Sequence, residues 1–166
     1  MERQSRNQAF PSVHAFNTFF FTTLVNGGYS RVRRWTRKVR LFEKDIVIVP
    51  VHLGVHWCCV SIWPKKNLIY YYDSLGGDGR RTLDLLLDYL ELESQDKLNK
   101  PLDKSIWDAQ CPKDIPLQKN GYDCGVFACA FAEHLTRESN FNFSQRDMKY
   151  LRKKMMIEII NQELIT

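Results

Sequence analysis

The chain has 166 residues, of which 44% are hydrophobic and 26% charged, a balance that fits one globular domain and excludes a fibre, a disordered tail and a helical membrane protein. At this length folding buries about 70% of the unfolded surface, so a metal or disulfide staple is not required. Five cysteines are an odd number with no pair two residues apart, which argues against a disulfide framework and for a reducing compartment. Net charge is +5, yet six of the ten residues from Arg31 to Arg40 are basic, so the remainder of the chain carries −1.

The longest uncharged stretch, Asn7 to Ser30, is interrupted by Pro11, His14, Asn17 and several threonines and fails as a transmembrane helix. Within it, residues 15–25 form an aromatic-rich run that predicts a helix ending near Gly27 and Gly28, where paired glycines suit a left-handed cap. Asp45 to Val51 is β-branched and predicts a buried strand, bounded oddly by Pro50. Val55 to Trp63 and Leu68 to Asp73 read as two further strands joined through Pro64–Asn67, a hairpin. After the break at Gly76, Gly77 and Gly79, Leu83, Leu86, Leu87 and Leu90 recur at helical spacing and predict an amphipathic helix on a sheet. Glu93 to Lys104 is polar and reads as an outward loop. Cys124 to Leu135 predicts a buried helix closed by Arg137. Ser144 and Asp147 have the spacing of a capping box, followed by a last helix with Met148, Leu151, Met155 and Ile159 on one face and Arg152, Lys153 and Lys154 away from it. No repeat or linker divides residues 1–166, which read as a single domain.

The hairpin carries the first chemical expectation. With Pro64–Asn67 as the loop, Trp63 faces Leu68 and His56 faces Leu75, so His56 and Asp73 project from one face of adjacent strands a diagonal step apart, roughly 7–8 Å between Cα atoms. That pair reads either as a catalytic base with its orienting acid or as a histidine packed at a sheet rim beside a helix-capping aspartate. A one-residue change in loop length would separate the two side chains.

Cys124 is the second chemical candidate, since Asn120–Gly125 is a turn running into a helix. There the positive end of the helix dipole and the unsatisfied amides favour negative charge on a thiol. The flanking glycines let the Cys124 amide approach a developing oxyanion, and Gln118 on the same loop supplies a second donor. Cys58, Cys59, Cys111 and Cys129 read as small buried hydrophobes. A zinc site built from Cys124, Cys129, His134 and Cys111 is not expected, because five-residue steps on a helix scatter ligands about 140° apart. The basic segment around Trp35 suits a nucleic-acid backbone, a solvated edge or an acidic protein surface equally.

The residues His56–Trp57, Tyr72–Asp73–Ser74, Gln118 and Asn120–Gly125, in that order, resemble the sentrin/SUMO-specific proteases of the Ulp1 family, and the similarity continues from about Phe10 to the C-terminus through Arg34–Trp35–Thr36, Val51–Trp57 and Phe127–Cys129. The resemblance implies an α+β fold of the papain-like class, a mixed central sheet flanked by helices. It implies a thiol protease and isopeptidase in which His56 is the base, Asp73 orients it, Cys124 attacks, and Gln118 with the Cys124 amide holds the oxyanion. Phe19, Arg34, Trp35 and His52 would grip the modifier SUMO, and Trp57 would cover its Gly-Gly tail. Partners implied are SUMO and SUMO-conjugated proteins, with no membrane and no nucleic acid, for a monomer in the nucleus or also the cytoplasm that needs no cofactor and no metal. Family members also carry a leading segment with a Trp-Leu-Asn-Asp-like motif that forms the other wall of the tail tunnel. The chain as given starts after that motif, which implies impaired turnover or a SUMO-binding fragment.

Overall fold

The β-branched segments build a five-stranded mixed sheet in the order β1 to β5: β1 (Val13–Ala15), β2 (Ile46–His52), β3 (Trp57–Trp63), β4 (Leu68–Tyr72) and β5 (Asp108–Gln110). The structure is a computed structural model and describes residues 10–165, so Asn7 to Ala9 of the uncharged stretch lie outside the described residues. The two outer pairings are parallel and the two inner ones antiparallel. Four helices complete the order: α1 (Phe20–Val32), α2 (Arg80–Leu98), α3 (Cys124–Thr136) and α4 (Met148–Asn161).

Strand alternation sorts the core into two layers. Val47, Val49, Val51, Cys58, Val60, Ile62, Ile69 and Tyr71 face α1 and α2. Ile46, Ile48, Cys59 and Tyr72 face α3 and the start of α4, where Val126, Phe127, Ala130, Phe131 and Met148 cover them. Both sheet faces are buried, which is why β2 and β3 are apolar at nearly every position rather than alternating. Pro50 sits inside β2 without breaking it: it pairs with Cys59 on one side, and β1 ends opposite Ile48, so no neighbouring strand asks for the missing amide.

Several elements depart from the sequence reading. The helix expected over 15–25 begins at Phe20, because Val13–Ala15 is taken up as a parallel edge strand and Phe16 still donates to the Ile48 carbonyl at 2.9 Å. Asn17 Oδ1 then accepts the Phe19 amide at 2.9 Å and turns the chain. Gly28, at φ 65°, breaks this helix as expected, but a further turn continues to Val32. The expected loop Glu93–Lys104 is half helix: α2 runs on to Leu98, and Glu93 is fully buried, accepting hydrogen bonds from Tyr29 (2.7 Å) and Thr36. A buried carboxylate is tolerated here because both its oxygens have hydroxyl partners. β5 has no counterpart in the sequence reading. The capping box at Ser144–Asp147 is formed, and Met148 is buried on α4 as expected, but Ile159 is 77% exposed because the last turns of that helix run past the core. No helix among the described residues is long and apolar enough to cross a membrane.

Candidate active site

Because β2 and β3 are antiparallel, as are β3 and β4, the end of β2, the start of β3 and the end of β4 share one edge of the sheet. His52, Trp57, His56 and Asp73 therefore gather there from two consecutive hairpins. The register is the one the four-residue turn demands, with Trp63 opposite Leu68 and Cys59 opposite Tyr72. His56 Nε2 and Asp73 Oδ1 are 2.6 Å apart, with side-chain exposures of only 14% and 8%. A carboxylate only accepts, so His56 donates from Nε2 and keeps its lone pair on Nδ1. Asp73 is held in turn: its Oδ1 also accepts the Leu75 amide at 2.8 Å, and its carbonyl accepts the Gly76 amide at 2.8 Å. A side chain on Gly77 would collide with Asp73 Oδ2, so this turn needs glycine for space. On the other side Leu53 donates to the His56 carbonyl at 2.8 Å, closing the β2–β3 connection around Gly54 at φ 89°.

Cys124 is the first residue of α3, and α3 packs on β3 so closely that a Cβ on Gly125 would lie 3.7 Å from the Trp57 ring. Trp57, Tyr122, Cys124 and Gly125 line one cleft of about 550 Å³ whose far wall is Arg152, Met155 and Met156 of α4. The Asn120–Gly125 turn that leads into α3 is braced from within. Asn120 Oδ1 accepts the amides of Tyr122 (3.2 Å) and Asp123 (3.1 Å), while its Nδ2 donates to Asp123 Oδ2 at 2.7 Å. It is also braced from outside, since Arg152 donates to Asp123 Oδ1 from Nε (3.1 Å) and Nη2 (2.7 Å) and to the Tyr122 carbonyl at 3.0 Å, and Gln145 donates to Asp123 Oδ2 at 2.8 Å. Gln118 ties the two turns together: its amide donates to the Ser74 carbonyl at 2.8 Å, its Oε1 accepts the Ser74 hydroxyl at 2.5 Å, and one of its Nε2 hydrogens goes to the Asn120 carbonyl.

Burial opposes the charge of Asp123, but hydrogen bonds from Asn120, Arg152 and Gln145 outweigh it and hold the carboxyl below the usual carboxylate range. A depressed native pKa stabilises the fold above the unfolded value of about 3.9 and loses that contribution as pH falls through the native one. Asp123→Asn is therefore expected to be less stable than wild type at neutral pH, with the gap closing below about pH 4. Urea unfolding at a series of pH values measures this, and a gap independent of pH would refute it.

The family model described as the Ulp1 protease family, C-terminal catalytic domain, matches residues 1–164. The chain belongs to the Ulp1 protease family. It is 45% identical over 164 residues to a sentrin-specific protease of Caenorhabditis elegans, covering 99% of this chain and 24% of that protein. It is 42% identical to sentrin-specific protease 2 of Homo sapiens, covering 98% of this chain and 28% of that protein. The chain thus spans about a quarter of the length of the curated relatives it matches. Among solved structures, the C-terminal Ulp1 protease domain in complex with Smt3, the yeast ortholog of SUMO, superposes with a TM-score of 0.80 at 31% identity, covering 93% of this chain and 70% of that one. The α+β architecture is accordingly that of the Ulp1 catalytic domain.

The remaining residues singled out by likeness to the Ulp1 family divide. Phe19 is 73% exposed, between β1 and the start of α1. The His52 and Trp57 rings lie 4.3 Å apart across the β2–β3 pair. Arg34 is exposed, but Trp35 is half-buried with its ring 5.8 Å from that of Phe20, so much of it is core. The basic segment is partly neutralised within the chain, Arg33 by Asp96 at 2.5 Å and Arg40 by Glu43 at 3.3 Å. Of the cysteines expected to be buried, Cys58 and Cys59 are, Cys111 is half-buried, and Cys129 is exposed, lining the cleft with Trp57 and Cys124. Sequence reasoning names Ser74 and Arg152 but gives them no role, because their partners are 44 and 29 residues away and leave no local signal.

Proposed function

We propose that this chain is the catalytic domain of a SUMO-specific cysteine protease, cleaving after the Gly-Gly end of SUMO in precursors or lysine conjugates. The observation that carries the proposal is the 2.6 Å bond from His56 Nε2 to Asp73, which leaves Nδ1 free to act as a base beside a cysteine-headed helix. In the reaction His56 Nδ1 takes the Cys124 proton, and the thiolate attacks the carbonyl carbon of the terminal glycine. The Cys124 amide and the second Nε2 hydrogen of Gln118 receive the oxyanion. His56 then gives its proton to the leaving amine, the thioester forms, and a water deprotonated by His56 hydrolyses it. Asp73 stabilises the imidazolium throughout. Trp57 lies over the tail in this scheme, and a narrow cleft rejects any residue larger than glycine.

Reaction with SUMO bearing a C-terminal electrophile tests the proposal. A covalent adduct on Cys124, lost in Cys124→Ala, is the expected result. Reversible binding without an adduct would make the chain a SUMO-binding fragment instead. The same reading has Phe19, Arg34, Trp35 and His52 meeting the acidic face of SUMO, with the protein working as a monomer in the nucleus, which gel filtration and imaging of a tagged full-length protein would check. Arg34→Glu is expected to weaken SUMO binding, with a loss that shrinks as salt is raised, because rim charges mainly steer association and are screened. Titrations at low and high salt decide this, and an effect on nucleic acid but not on SUMO would overturn it.

A further inference from the structure

Behind the His56–Asp73 pair lies a third ligating group that the proposed reaction does not use. One register step beyond Cys59 and Tyr72 sets Cys58 opposite Asp73, with His56 two residues earlier on the same strand face. Among the described residues, one ligand atom each from His56, Cys58 and Asp73 lie within 4.8 Å of one another. Sulfur, imidazole nitrogen and carboxylate oxygen are the donor set of tetrahedral zinc sites, with water in the fourth place. Cys58 is 1% exposed, and the Tyr71 hydroxyl donates to its sulfur at 2.9 Å, a bond that would support the thiolate as a ligand from outside the metal shell. Without a metal, burial pushes the Cys58 thiol up to about 12, so it rests as a neutral thiol behind the His56–Asp73 pair.

We propose that His56, Cys58 and Asp73 form a reversible inhibitory site for a thiophilic divalent cation such as Zn²⁺. This rests on the reading of His56 as the base. In a tetrahedral site with bonds of about 2.0–2.3 Å, ligand atoms stand about 3.3–3.6 Å apart. Entry of the ion therefore draws Cys58 inward and opens the 2.6 Å His56–Asp73 contact by less than an ångström. The Cys58 proton leaves to solvent and a sulfur–metal bond replaces it. Either imidazole nitrogen serves with the same result. Coordination through Nδ1 consumes its lone pair, and coordination through Nε2 puts the ring proton on Nδ1. In both cases His56 can no longer accept the Cys124 proton, while Cys124 itself stays outside the site. That separates this mode from capture of a metal by the nucleophile.

Cobalt(II), a spectroscopic stand-in for zinc, is the probe. Added to the reduced chain it should give thiolate-to-metal charge transfer and tetrahedral d–d bands that persist in Cys124→Ala and disappear in Cys58→Ser and Cys58→Ala, both checked for a native far-UV spectrum and melting transition. In parallel, Zn²⁺ should suppress cleavage of a SUMO precursor and a chelator restore it, and the concentration giving half inhibition, relative to each protein's own metal-free rate, should rise at least tenfold in Cys58→Ser. Bands that survive in Cys58→Ser and vanish in Cys124→Ala would move the metal to the nucleophile and overturn the proposal, as would no bands in any of the proteins. The cobalt spectra need no turnover, so they stand or fall apart from the substrate assignment.

Discussion

Asp73→Ala is expected to lower kcat/KM on a SUMO precursor by about 10⁴, and Asp73→Asn by only about 10–100-fold. Removing the carboxylate leaves His56 Nε2 without its partner, so tautomer, ring orientation and imidazolium stabilisation are lost together. An aspartate-to-asparagine change in a serine triad costs about 10⁴ because the amide turns its NH₂ toward the imidazole and imposes the wrong tautomer. Here the Leu75 amide donates to the same Oδ1 that receives His56, at 2.8 Å and 2.6 Å respectively. An asparagine that turned its NH₂ inward would set two donors against each other at Leu75. The amide oxygen therefore stays on the His56 side, the tautomer survives, and the loss reduces to replacing a charge-assisted bond by a neutral one. Steady-state kinetics on both variants measure this. Equal losses of about 10⁴ would show that the Leu75 contact is too weak to orient the amide.

Phe127→Ala is expected to cost about 3–5 kcal/mol, the range for truncating a buried aromatic ring. Phe127 is completely buried one turn after Cys124, with ring centroids 6.1 Å from Phe131 and 5.8 Å from Phe143, so it joins α3 to the segment that leads into α4. Against a total stability of about 5–15 kcal/mol, that loss takes a large share and lowers Tm by about 6–20 °C. Phe19→Ala, at a 73% exposed ring, should shift stability by no more than about 0.5 kcal/mol. Thermal and urea unfolding of the two variants make the comparison, and similar shifts would mean that α3 is not anchored through Phe127.

Apolar periodicity and turn chemistry are local properties, and what rests on them was legible in the chain itself. The leucine spacing of α2, the cysteine-headed α3, the capping box before α4 and the hairpin register all depend on residues within a few positions of one another. That register alone places His56, Cys58 and Asp73 on one face, because a four-residue loop fixes the pairing and the pleat fixes the side. The order of histidine, aspartate and cysteine motifs along the chain also resembles the Ulp1 family from the sequence alone. Tertiary structure decided what depends on partners far away in sequence. Glu93 reads as a surface residue in the sequence, yet Tyr29 and Thr36, 64 and 57 residues earlier, satisfy it in the core. Arg152 reads as solvated from the sequence but pairs with Asp123, and Ala15, the expected start of a helix, instead ends a strand for which β2 supplies the ladder. A buried polar group or an edge strand is stabilised by atoms that no local window contains, so one sequence carries the demand for a partner but not the partner's identity.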